Sequence, residues 1–195
     1  MLYYKELASI FKLNHHFYRN FYYLINFFKK IMLSMKNDEK IDRLDCKILT
    51  LLQEDASLSI GEIAEKVGLS TTPCWKRIQK LEKQGVIRKR VALLNPPQLN
   101  LGLTAFISIK TNQHKIEWFE SFHRIVSAIP EVVEFYRVTG STDYLLKVVL
   151  SNIEDYDRVY KILIKGVDLV DVSSMFAMEQ IKYTTALPLT QVNLE

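Results

Sequence analysis

Cysteine is nearly absent. Only Cys46 and Cys74 occur in 195 residues, and they form no CxxC pair. No histidine stands at ligand spacing from either, which speaks against a disulfide framework and against a structural zinc site. Free buried thiols in a reducing cytoplasm are the expectation. Long apolar runs are missing too. Asn20–Phe28, the longest uncharged stretch of the first thirty-four residues, is too short for a bilayer, which needs about 20 apolar residues. Lys29 and Lys30 end it. No small-residue cleavage site follows an apolar segment, so a signal peptide is not indicated. A strong charge of one sign is also lacking, since the net charge is +4. With 48% hydrophobic and 25% charged residues the chain has the composition of an ordinary globular protein, not of a disordered one.

The charge is unevenly spread. Residues 1–34 hold five Lys/Arg and one acid; residues 35–96 hold twelve and nine; residues 97–195 hold nine and twelve. A basic part joined to an acidic one suits a polyanion-binding domain tethered to a domain that does not touch the polyanion. Residues 1–34, rich in Tyr, Phe, Asn and Lys, differ from the rest. They are read as an extension outside the folded core, with Met35 as a plausible alternative start. A basic aromatic helix on a membrane surface is the other reading.

The first strong pattern is helical. Ile41, Leu44, Ile48, Leu51 and Leu52 recur at three- and four-residue spacing, and Asp42 and Asp45 stand where the helix dipole favours acids. Ser59 followed by Glu62 is a capping-box spacing. It opens a second helix with Ile60, Ile63, Ala64 and Val67 on one face, ended by Gly68. Ser70 is the expected N-cap of a third helix, with Pro73 in its first turn and Ile78 and Leu81 inward. Two helices joined by a short glycine-containing turn make a helix-turn-helix.

The third helix carries the chemistry. Ser70, Thr71, Thr72, Trp75, Lys76, Arg77, Gln79 and Lys80 combine hydroxyls and an amide able to bond base edges with cations able to neutralise phosphates. From Trp75 to Arg90 there are seven basic residues against one acid, Glu82. Arg88, Lys89 and Arg90 are expected at the tip of a wing, between short strands at 86–87 and 91–94. Double-stranded DNA is the implied partner. Asn95-Pro96-Pro97 marks a boundary.

Beyond it, strand and helix alternate. Leu103, Ala105, Ile107 and Ile109 alternate with polar neighbours. Residues 115–128 are an amphipathic helix, 132–139 and 144–150 strands, 153–165 a helix capped by Gly166, and 170–182 a last strand. The order βαββαβ is ferredoxin-like. The fold class is therefore α+β: a winged helix-turn-helix at 35–96, then a ferredoxin-like domain at 97–195.

The run from Ile41 to Pro188 resembles the Lrp/AsnC family of transcription regulators, the leucine- and asparagine-responsive type. The residues that carry the resemblance are Ile41-Asp42-Arg43-Leu44-Asp45 with Ile48-Leu49, then Ile63 to Ser70, Pro73-Cys74, Arg77 to Glu82, Gly85-Val86-Ile87, Gly140 to Leu146, and Met178-Glu179 to Thr184-Thr185. Residues 1–34 have no counterpart. The resemblance implies a regulator whose sheet domains pair into dimers, with dimers assembling into larger rings, octamers being the expectation. It implies a small-molecule effector, commonly an amino acid, bound near Gly140, Ser141, Thr142, Asp143 and Tyr144. Ser141-Thr142 stands where many members carry an acid and an aromatic. No catalytic residue, metal or cofactor is expected, and the implied location is the cytoplasm, at the nucleoid. Two alternatives stay open. One is an architectural DNA-binding protein that needs no effector. The other is an enzyme similar to haem-pathway decarboxylases of the same architecture; His114, His123, Arg124 and Arg137 would have to serve it, and they form no motif.

Overall fold

A computed structural model of the chain describes residues 41–113 and 115–192. The extension at 1–34, the start at Met35 and His114 lie outside the described residues. The rest divides into two compact units. One contains residues up to Val91 together with the segment from Thr184 onward; the other spans Ala92–Tyr183.

The first unit is built on three helices. Helix α1, Arg43–Glu54, begins with a capping box that is more specific than a dipole effect. The Asp45 amide donates to Asp42 Oδ1 at 2.8 Å, and the Asp42 amide donates back to Asp45 Oδ2 at 3.2 Å. Helix α2, Ile60–Val67, has the expected box: Glu62 N–H to Ser59 Oγ at 3.3 Å and Ser59 N–H to Glu62 Oε2 at 2.7 Å. Gly68 ends it at φ 74°, letting the Leu69 amide reach the Ala64 carbonyl at 2.8 Å. Helix α3, Thr71–Lys83, follows after Ser70, whose side chain makes no capping bond, contrary to expectation. Ile48, Leu49, Ile63, Ala64, Val67, Cys74, Ile78 and Leu81 form the buried core. Cys74 is buried as anticipated, but Cys46 is only half-buried; both are unpaired, and burial raises both thiol pKa values.

The expected strands of the wing are not formed. Residues 86–94 run without ladder bonds among the described residues. Val91, Leu93 and Leu94 are 56%, 60% and 71% exposed, so nothing within one chain covers the apolar side chains a hairpin here would need to bury. Pro96–Leu99 makes a 3₁₀ turn.

In the second unit, strands β1 (Leu103–Lys110), β2 (Val132–Arg137), β3 (Tyr144–Leu150) and β4 (Asp171–Phe176) form one antiparallel sheet in the order β2-β3-β1-β4. Helices α4 (Ile116–Ser127) and α5 (Ile153–Gly166) cover one face. Ala105, Ile107 and Ile109 pack there with Leu146, Val148, Leu150, Phe122, Val126, Val159 and Leu163. The element order is βαββαβ, as the periodicity predicts.

Three boundaries move. β2 stops at Arg137, before the expected Thr139. The last strand stops at Phe176, not at residue 182. Its partner β1 begins at Leu103, and after the Ala177 amide bonds the Thr104 carbonyl at 2.9 Å no strand remains to pair with. The chain end also leaves this unit: Leu189 packs on the helical core and Gln53 bonds Leu187, so the segment expected within 97–195 groups with the helices from Thr184 onward.

Gly166 is the last residue of α5 rather than a cap beyond it. A Cβ there would lie 2.6 Å from Ile125 Cδ1 on α4. Overpacking costs about 1–3 kcal/mol, against a helix-propensity gain of about 1 kcal/mol at most. Because the atom met is the end of a half-buried side chain that can turn aside, Gly166→Ala should lower stability by less than about 1 kcal/mol in urea denaturation. In an Ile125→Val background, which lacks Cδ1, the same change should be neutral or stabilising. Equal losses in both backgrounds would refute the close approach.

Candidate nucleic-acid interface and effector turn

Helix α3 sorts its side chains by face. Cys74, Ile78 and Leu81 point into the core, while Thr71, Thr72, Trp75, Lys76, Gln79, Lys80 and Lys83 are exposed, with Ser70 exposed just before them. Trp75 is 46% exposed, a large ring left on the surface beside cations. Arg88, Lys89 and Arg90 are exposed on the extended segment that follows. Glu82, the one acid in the run, gathers two of these groups. Its Oε2 accepts from Gln79 Nε2 at 2.9 Å, and its Oε1 pairs with Arg90 at 3.1 Å. It thereby ties the basic segment to α3.

Arg77 departs from the expectation. Its Nη1 lies 2.7 Å from Asp45 Oδ1 and 2.6 Å from Asp42 Oδ2, so it clamps α3 to the N-terminal end of α1. The Asp45 side chain is only 2% exposed. The bonds to Asp45 and then to Asp42 raise the Arg77 pKa further. Burial pushes Asp42 up, but the Asp45 amide and the guanidinium together leave it below the ordinary carboxylate value. Arg77 is thus committed within the fold and not held out toward a phosphate. A sequence signal was available: Asp45 falls on the apolar stripe of Ile41, Ile48 and Leu52, where an acid needs a partner.

At one end of the sheet unit, residues 140–143 link β2 to β3. Gly140 adopts φ 116°, a conformation for glycine. Gly140 and Ser141 are exposed, and Thr142 and Asp143 half-buried. Asp143 pins the turn to the end of β1: its Oδ2 accepts from the Thr111 amide at 2.9 Å, and its own amide donates to the Ile109 carbonyl at 3.0 Å. The Val138 amide closes the turn on the Asp143 carbonyl at 2.9 Å. Tyr144 is a second departure. It is 3% exposed, and its ring sits among Trp118, Phe119, Phe122 and Phe135. Its ring is core, so it can offer an effector little beyond its backbone. Thr111, which no sequence pattern marks, joins this turn; only the pairing of β1 with β3 brings it there.

An open groove of about 700 Å³ runs along α4, lined by Phe119, Glu120, His123, Arg124, Ser127 and Ala128. It brings His123 and Arg124 together, but Arg137, at the end of β2, does not line it. Among the described residues no group of three or more metal-ligating side chains occurs, and no helix is long and apolar enough to cross a membrane.

Comparison with known proteins gives two family matches. Residues 41–88 match the winged helix-turn-helix DNA-binding family, and residues 104–187 match the Lrp/AsnC ligand binding domain. The chain is 50% identical over 150 residues to the DNA-binding transcriptional activator DecR of Escherichia coli K12, covering 76% of this chain and 99% of that protein. It is similar to the crystal structure of an AsnC family transcriptional regulator from Agrobacterium tumefaciens, with 59% identity, a TM-score of 0.75, and coverage of 77% of this chain and 98% of that one. It also resembles the transcriptional regulator NMB0573 of Neisseria meningitidis, solved as a complex with L-Met. There the identity is 37%, the TM-score 0.75, and the coverage 79% and 100%.

Proposed function

The chain belongs to the Lrp/AsnC family of transcription regulators, and from that premise we propose how its two units divide the work. It is a DNA-binding transcription regulator with a ligand-binding domain. In this reading α3 enters the major groove. Ser70, Thr71, Thr72, Trp75 and Gln79 face base edges and sugar-phosphate, and Lys76, Lys80, Arg88, Lys89 and Arg90 neutralise phosphates. The observation that carries it is the single exposed row of hydroxyl, amide, aromatic and cationic groups on α3, opposite a face given wholly to the core.

The effector in this reading is an amino acid, held near Gly140–Asp143. The L-Met complex of the Neisseria relative supports that class. The exposed amide-bearing turn, its two hydroxyls and the Asp143 carboxylate suit a ligand carrying both an ammonium and a carboxylate. The uncovered sheet face presents Tyr136 and Met175, 49% and 60% exposed, which favours pairing with a second copy. Dimers would place two α3 helices about 34 Å apart, one turn of the duplex. Assembly to octamers, residence at the nucleoid and the lack of an enzymatic role belong to the same reading, since the relatives are regulators.

A mobility-shift titration with the DNA upstream of the protein's own coding region tests this, with each of the twenty amino acids added in turn. Binding is expected at low salt, and one or a few amino acids should change it about fivefold or more. Binding indifferent to all twenty would favour the architectural role. No binding by folded protein at low salt would overturn the reading of α3.

A further inference from the structure

Residues from Thr184 onward belong to the helical unit. Two side chains hold the returning segment. Gln53, next to the last residue of α1, accepts from the Leu187 amide on its Oε1 at 2.7 Å and donates from Nε2 to the Leu187 carbonyl at 3.4 Å. One donor and one acceptor meeting the N–H and C=O of the same residue fix the register of the segment, as a neighbouring strand would. Leu189 then packs against the helical core. The Ala186 amide donates to Thr184 Oγ1 at 3.1 Å and shapes the approach.

In chain order, the sheet unit is therefore inserted into the helical one. It leaves the helices after Val91 and rejoins them at Thr184. A sensor on one linker can change state without pulling on the DNA-binding unit. A sensor whose two chain ends both return to that unit has two covalent paths by which to act on it.

Contacts within the sheet unit lead from the turn to the rejoining end. Asp143 grips the Thr111 amide. The preceding residue, Lys110, pairs with Asp171 at the start of β4, and its carbonyl accepts from the Val170 amide at 2.9 Å. Strand β4 then runs toward the returning segment. As far as Phe176 each step is a hydrogen bond or a strand; residues 177–183, which carry no strand, then link β4 covalently to the returning segment.

We propose that residues 184–192 are a strap coupling the state of the 140–143 turn to α1 of the DNA-binding unit, with Gln53 as latch and Leu189 as anchor. Gln53 is a positioning residue and touches neither DNA nor effector. The proposal rests on the reading of residues 140–143 as the sensing turn, but its test needs no effector.

The test is a double-mutant cycle on the full chain, read as the dissociation constant for the same upstream duplex at fixed salt. Asp143→Ala perturbs the turn; Gln53→Ala/Leu189→Ala releases the strap. Asp143→Ala is expected to change DNA affinity about tenfold with the strap docked and less than about twofold with it released. Gln53→Glu keeps the acceptor for the Leu187 amide but loses the donor and sets a carboxylate against the Leu187 carbonyl, so its Asp143 effect should fall between those of the parent and the released strap. Asp143→Asn, which retains an acceptor, replaces the Ala variant if circular dichroism shows that it does not fold. An Asp143 effect of the same size with the strap released would overturn the proposal, as would no effect of Asp143 in the parent. Failure of the amino-acid panel alone would remove the effector reading and leave this cycle standing.

Discussion

Arg77→Ala should lower the stability of the helix-turn-helix unit by about 3 kcal/mol, leaving it folded but marginal. The guanidinium bridges two acids, and one of them, Asp45, is 2% exposed. Removing one partner of a buried pair costs about 3–5 kcal/mol because the other charge is left uncompensated. The low end applies because Arg77 is 30% exposed and water screens part of the loss. Small domains have roughly 5–15 kcal/mol in all, so the variant loses a large share. Urea denaturation followed by helical circular dichroism measures this, with Asp45→Asn/Arg77→Met as the control that removes both charges and should recover part of the loss.

The clamp also sets a pH dependence. The Asp42 pKa is lowered in the folded state, so its contribution is complete above the ordinary carboxylate value and fades as pH falls through the folded value. The parent should lose stability on acidification through that window, and Arg77→Ala should show a shallower slope. A folded Arg77→Ala protein with parental stability and only a reduced salt slope would restore Arg77 to the DNA interface.

The second large effect should fall on affinity and spare the fold. Lys76, Arg88 and Lys89 are exposed, so replacing all three by Ala should shift stability by no more than about 0.5 kcal/mol per site. Each phosphate that is no longer neutralised takes about 0.9 from the slope of log affinity against log salt. The triple variant should therefore lower the slope by about 2.7 and weaken binding about a hundredfold at physiological salt. An unchanged slope would place the phosphates elsewhere on the protein.

These two predictions divide residues that look alike in the chain. Lys76 and Arg77 are adjacent cations in one basic run, and both fit a role in holding phosphates. The helical period separates them: Lys76 falls on the row of Thr72 and Gln79, whereas Arg77 falls beside Cys74, Ile78 and Leu81. The acid on the apolar stripe of α1 was the matching clue, visible only to someone asking what a buried carboxylate would pair with.

The sequence by itself determined what depends on near neighbours. Periodicity placed the three helices and the βαββαβ order, Ser59 with Glu62 placed the start of α2, and Gly68 its end, because each of these is an interaction within a few residues. It also determined the exposed chemistry of α3, since a helix with one apolar stripe must turn its other residues outward. Tertiary structure alone decided the rest. The Tyr144 ring went into the core because four aromatic residues from α4 and β2 surround it. Gly166 proved to be a close approach between α5 and α4 rather than a cap. The strand beyond Phe176 did not form because β1 had ended. Leu187 met Gln53, 134 residues earlier in the chain. Each is a meeting of segments far apart in sequence, and which segments meet is set by the packing of whole elements, for which no local pattern carries a signal.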